Sequence, residues 1–206
     1  MACNLKHVKS TGTDCKESPA GVSNYCMVVP LFGDYIASVG PNDIKPEYVI
    51  TLPTGKTTLE GFRIEFKTGT GQVSSEDNGD GSAWTMTGTG RVDRNEADMA
   101  LISRTLSNLG GKYLVFFPTG KTLDGNIEWK VVGNEFGTCT FSVAGDSGVA
   151  RGDDHGLTFT VSCDYQVYPT MWWYGNIGEA SPHVASADDE ADAVSYEADE
   201  LYGSSD

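Results

Sequence analysis

The chain has 206 residues, 39% of them hydrophobic, and a formal net charge of −15. That length holds one sizeable β domain or two small ones. With 29 acidic residues against 14 basic ones, composition argues against a surface that grips nucleic acid, which would need clustered Lys and Arg.

The charge is uneven. From Glu179 to Asp206 there are nine acidic residues and no Lys or Arg, which leaves 20 acids against 14 bases for the remainder. Five cysteines, Cys3, Cys15, Cys26, Cys139 and Cys163, make an odd number and no dense disulfide framework. The first residues lack the apolar run of an export signal. No segment reaches the ~20 apolar residues of a membrane helix. Folding in a reducing cytoplasm is therefore expected, with the thiols buried as small hydrophobes. Cys3, Cys15 and Cys26 lack the close pairing of zinc ligands.

Taken in order, residues 1–26 are polar and turn-rich, with Gly12, Pro19 and Gly21, and read as an arm that becomes ordered against another surface. Residues 27–177 read as one β-sandwich or β-barrel domain. Its first apolar run, Tyr25 to Phe32, contains Pro30, which cannot donate to a ladder and so predicts an edge strand or a strand end. A repeat follows. Tyr48-Val-Ile-Thr-Leu-Pro-Thr-Gly-Lys-Thr57 is echoed by Tyr113-Leu-Val-Phe-Phe-Pro-Thr-Gly-Lys-Thr122, and each copy leads into a second strand. Both predict strand, turn, strand, with Pro53 or Pro118 stopping the first strand and glycine easing a hairpin or a corner between sheets. A second echo, Ala83–Gly88 and Leu157–Ser162, alternates in the same way. Internal duplication of a strand–turn–strand unit is one reading, and convergent hairpin chemistry is the other.

Between the copies lies a helix candidate near residues 94–109. Asp93 and Glu96 have capping-box spacing, Met99, Ile102, Leu106 and Leu109 recur at helical spacing with Leu101 widening the stripe, and Gly110-Gly111 ends it. The stripe must cover a sheet face. From Tyr113 to Tyr168 the pattern predicts four strands, near 113–117, 127–132, 138–143 and 157–165, alternating apolar and polar. Trp172, Trp173 and Tyr174 then follow consecutively. They cannot all enter one core, so at least one ring covers an edge or meets a neighbouring subunit, unless they form a local terminal cluster. Residues 178–206 read as a flexible acidic tail.

Candidate chemistry is sparse. Pro-Thr-Gly-Lys-Thr resembles the end of a phosphate loop, but the earlier glycine is missing, replaced by Ile50 and Val115. Gly145-Asp146-Ser147-Gly148 lacks a plausible histidine base, since His7 is the one histidine upstream and lies in the arm. Glu76 to Ser82 could offer oxygens to Ca²⁺, but its spacing differs from an EF-hand loop, and a hairpin tip accounts for it. Arg151-Gly152-Asp153, followed by Asp154 and His155, reads as another tip. No carboxylate pair is set for acid–base work. No catalytic residue, metal or cofactor is expected, and the chain does not read as an enzyme.

The Met-Ala-Cys opening with Cys15 and Gly21, the alternating strands, the single central helix, the Trp129-Lys-Val-Val-Gly133 strand and the Ser147–Gly156 turn resemble virion structural proteins of phages of Bacteroidetes-type hosts. They are most similar to major tail or tail-tube proteins. The resemblance covers roughly residues 1–175 and implies a β-sandwich or barrel flanked by a helix, with subunits joined through strands into a ring or tube around passing DNA. It implies a homo-oligomer in the virion, made in the host cytoplasm and contacting other virion proteins, with no membrane partner and no specific DNA binding. Candidate interface residues are Pro53, Thr54, Pro118, Thr119, Trp172, Trp173 and Tyr174. Head decoration or neck positions are alternatives within that class. A carbohydrate-binding, adhesin-like sandwich using Trp84, Trp172 and Trp173 as stacking platforms is the alternative outside it.

Overall fold

The computed structural model describes residues 22–79, 83–93, 96–122, 124–146 and 156–180. It is mainly β, with curled antiparallel and mixed sheets in a sandwich-like, half-barrel arrangement and one flanking helix, as the alternating pattern predicts. In chain order the elements are β1 (Tyr25–Pro30), β2 (Ser38–Pro41), β3 (Tyr48–Thr51), β4 (Leu59–Glu65), β5 (Gln72–Asp77), β6 (Trp84–Val92), α1 (Glu96–Asn108), β7 (Tyr113–Lys121), β8 (Ile127–Val132), β9 (Cys139–Asp146), β10 (Gly156–Gln166), β11 (Trp172–Gly175) and β12 (Ile177–Glu179). The core begins earlier than residue 27, because Cys26 is fully buried in β1.

A six-stranded sheet has the order β11-β8-β7-β1-β4-β12, and a four-stranded sheet has the order β5-β6-β10-β9. The unbroken apolar runs of β1 and β7 make them the central strands of the larger sheet, since a strand covered on both faces needs no polar alternation. Pro30 does end its strand, but that strand is central, with β4 on one side and β7 on the other. One residue, Asn176, separates β11 from β12, yet these strands pair with opposite edges of the sheet. The sheet must therefore curl until both edges reach one continuous segment. Inside the curl Phe116 meets Trp129 and Trp173 edge-on at 6.3 and 5.6 Å, and Trp129 Nε1 donates to the Gly175 carbonyl at 2.8 Å.

The other face of the large sheet packs on the smaller one. Phe66 meets Phe117 and Phe159, and Phe159 stacks on Phe141 at 5.7 Å. The sheets approach closely at Gly88, where a Cβ would lie 2.5 Å from the Phe117 ring. Helix α1 extends this cover over β9 and β10, burying Met99 and Leu106. Leu101 does not join the stripe and is 65% exposed. Residues 94 and 95 lie outside the described residues, and Asp93 pairs with Lys67 and Arg91.

The repeat takes two forms. Pro53-Thr54-Gly55-Lys56 is a turn closed by Lys56 N–H to the Pro53 carbonyl at 3.1 Å, with Gly55 at φ 90°. It joins the β2–β3 hairpin to the large sheet. Pro118-Thr119-Gly120-Lys121 instead lies within β7, where the β7–β8 register shifts between Pro118 and Gly120. The sheet orders have a two-fold regularity in a different frame, with β1 (Tyr25–Pro30) rather than β3 standing in the place of β7, and β2–β3 as an insertion. Exchanging β1, β4, β5 and β6 for β7, β8, β9 and β10 leaves both orders, β8-β7-β1-β4 and β9-β10-β6-β5, unchanged.

A buried polar knot fastens the insertion. The Tyr48 hydroxyl reaches the Gly133 carbonyl and Gln166 Oε1, while Gln166 Nε2 donates to the same carbonyl at 2.6 Å. Burial pushes the Tyr48 and Tyr113 phenols and the Cys26 thiol well above their ordinary values, with Glu135 adding to the effect on Tyr48. In the unfolded chain these groups ionise first, from about pH 9 upward, so the stability they contribute is complete below that pH and is lost as pH rises. Urea midpoints should fall between about pH 8 and about pH 11, and Tyr48→Phe should flatten that fall. A midpoint independent of pH over this range would contradict the burial of these groups.

Candidate functional site

The two sheets treat their edges differently. Residues 172–179 occupy both edges of the large sheet, and Trp172 N–H bonds the Pro46 carbonyl at 2.9 Å, tying β11 to the hairpin insertion. In the four-stranded sheet, β5 and β9 stand at the ends with no further strand beside them among the described residues. Such rows of backbone donors and acceptors pair readily with another chain. At β9 the first residue is tied elsewhere, Cys139 N–H meeting the Gly111 carbonyl at 3.4 Å. β5 runs antiparallel to β6, β6 to β10 and β10 to β9, so the two edge strands run in opposite directions.

The alternation that buries Phe159, Val161 and Met86 sends hydroxyls to the opposite face. Gln72, Thr89, Thr160 and Ser142 form one row across the four strands, and Ser74, Thr87, Ser162 and Thr140 the next. Thr87 and Ser162 are 3.4 Å apart through their hydroxyls. Thr85 Oγ1 lies 2.7 Å from both Asn78 Oδ1 and Asp164 Oδ1. The only Lys or Arg in these strands is Arg91, whose Nε lies 3.5 Å from Asp93 Oδ1. Such a face offers neutral hydroxyls and carboxylates and little positive charge.

At one end, β10 bulges between Cys163 and Gln166, and Tyr165 takes the left-handed backbone at φ 62°. Buried Asn134 donates to the Asp164 carbonyl at 2.8 Å and accepts from Phe136 N–H at 3.1 Å. Tyr165 and Phe136, 64% and 69% exposed, flank this clamp as outward apolar rings. A bulge that aims a side chain outward at an energetic cost is a recurrent feature of contact surfaces. No residue-type cue in the sequence marks it, because the strain belongs to the backbone.

The residues singled out from sequence are scattered. Trp173 is half-buried against Phe116, Trp172 lies under Lys130 Nζ at 5.4 Å, and Tyr174 is the most exposed of the three. The strand that carries them, β11, pairs with the outer side of β8. Pro118 is buried and its carbonyl accepts from Ser23 N–H at 2.9 Å. Thr119 Oγ1 bonds the Glu128 carbonyl, while Pro53 and Thr54 form the corner turn far along the chain from them. Both edge strands were missed as a site because edge status depends on partners remote in sequence.

Between α1 and the β9–β10 hairpin lies an open groove of about 500 Å³ lined by Ala100, Ser103, Arg104, Ser107, Val143 and Leu157. Its one titratable lining group is Arg104. Among the described residues no group of three or more His, Cys, Asp or Glu is placed to hold a metal, and no helix is long and apolar enough to cross a membrane. The Gly79 N–H bonds Asp77 Oδ1 at 2.8 Å, while Asp80 to Ser82 lie outside the described residues. So do Ser147 to His155, the arm with His7, Cys3 and Cys15, and the acidic tail from Ser181. No family model, curated protein or solved structure matches this chain.

Proposed function

We propose that this chain is a non-enzymatic structural subunit of a bacteriophage virion that joins copy to copy through sheet edges into a ring or tail tube. The observation that carries the reading is the pair of sheet ends, β5 and β9, which have no further strand beside them among the described residues and run in opposite directions. β9 of one copy beside β5 of the next continues the antiparallel alternation, and the same joint repeats at every copy. A head-to-tail contact of this kind closes as a ring or continues as a helix. The hydroxyl and carboxylate face of the sheet then repeats around the assembly and repels rather than holds the phosphates of passing DNA. Tail tube is placed ahead of neck and head decoration, with the virion as location and other virion proteins as further partners.

Negative-stain images and sedimentation of the purified chain test this, with rings or tubes as the expected result. Ser74→Lys combined with Ser142→Lys puts cations at exposed positions on both edges, a substitution that discourages strand addition. It should leave unfolding within about 0.5 kcal/mol of the parent and convert the assemblies to monomers. A parent chain that stays monomeric at high concentration would remove the proposal.

A further inference from the structure

The inward face of the β9–β10 ladder carries two free thiols in direct register. Cys139 and Cys163 are Cα partners, 5% and 0% exposed. The Cys139 N–H turns away from β10 to the Gly111 carbonyl, which marks a pair whose backbone groups point away from one another. At such pairs the Cα atoms lie about 4.5 Å apart and the side chains are closest, within the span of about 4.4–6.8 Å that a disulfide bridges. Thr138 Oγ1 lies 3.4 Å from Cys163 Sγ, and Cys139 Sγ is 3.3 Å from the Tyr113 carbonyl.

We propose that Cys139 and Cys163 are a modification site, a dithiol that a low-molecular-weight disulfide such as oxidised glutathione converts into a cross-strand disulfide. Hydrogen bonds, first from Cys139 and then from Thr138 and Gln166, draw the Cys163 thiol below its usual value against burial. Cys163 as thiolate attacks one sulfur of the oxidant, forming a mixed disulfide and releasing one glutathione thiolate. Cys139, deprotonated, then attacks Cys163 Sγ and expels the second. Two protein thiols lose two protons and two electrons, and one small disulfide becomes two thiols. Access comes when β9 opens locally from its N-terminal end, where Cys139 is its first residue. The bond would staple β9 to β10 beside the bulge at Asp164 and Tyr165.

The test uses the full chain refolded in a glutathione redox buffer, quenched with acid, alkylated in denaturant and mapped by mass spectrometry. The expected result is a cross-linked peptide pair containing Cys139 and Cys163 that lacks two hydrogens, with Cys26 alkylated. The thermal midpoint should rise by about 5–10 °C over the same sample treated with dithiothreitol. Cys163→Ser should abolish the cross-link and the rise; if that variant does not fold, the oxidised and reduced parent chain reads the same difference. Alkylation of both Cys139 and Cys163 after refolding in the oxidising buffer would overturn the proposal, as would their capture in pairs with other cysteines.

Discussion

Trp129→Ala is expected to cost about 3–5 kcal/mol of unfolding free energy, a large part of the ~5–15 kcal/mol that holds a domain of this kind together. The ring is 1% exposed and lies edge-on to Tyr25 at 6.1 Å and to Phe116 at 6.3 Å. Its indole N–H reaches the Gly175 carbonyl at 2.8 Å, at the point where the chain crosses from one edge of the large sheet to the other. Alanine removes the packing inside the curl and leaves that carbonyl without its partner. Trp129→Phe keeps most of the ring and loses the hydrogen bond, so about 1 kcal/mol is expected. Urea unfolding followed by far-ultraviolet circular dichroism measures both, since tryptophan fluorescence is itself altered by the change. A loss below about 1 kcal/mol for the alanine variant would mean that the curled sheet is not closed over this residue.

Gly88→Ala is the second large effect. Its Cβ would stand 2.5 and 2.6 Å from two Phe117 ring carbons and 3.1 Å from Val161 Cγ1. Phe117 and Val161 are fully buried, so neither can swing aside without disturbing the interior. Overpacking of this kind costs about 1–3 kcal/mol. Phe117→Leu shortens the obstructing side chain and is destabilising alone through lost contacts. In the double variant the clash is relieved, and the combined loss should fall short of the sum by about 0.5–3 kcal/mol. Additive losses would show that the two sheets do not meet at Gly88.

Much of the architecture is legible in the chain because it is local. Alternation in Thr138–Val143 and Leu157–Ser162 marks strands with one apolar face, and β9 and β10 form there. Helix α1 follows from Met99, Ile102 and Leu106, while Leu101 shows the limit: it is expected to widen the stripe, but it is mostly exposed. The repeated Pro-Thr-Gly-Lys-Thr shows the same limit more sharply. One copy turns a corner and the other stays in a strand, because β8 pairs along the second copy while β3 and β4 find separate partners. A turn sequence permits a turn, and the neighbouring strand decides whether one is made.

Composition, periodicity and the breaks at glycine and proline determined, without further information, that the chain is mainly β with one amphipathic helix. Which strands lie at an edge, which ring closes the curl and which cysteines stand opposite one another were decided by tertiary pairing alone. The reason is physical: burial periodicity is set by each residue's immediate neighbours along the chain, whereas edge, register and contact are properties of segments that meet across a hundred residues or more.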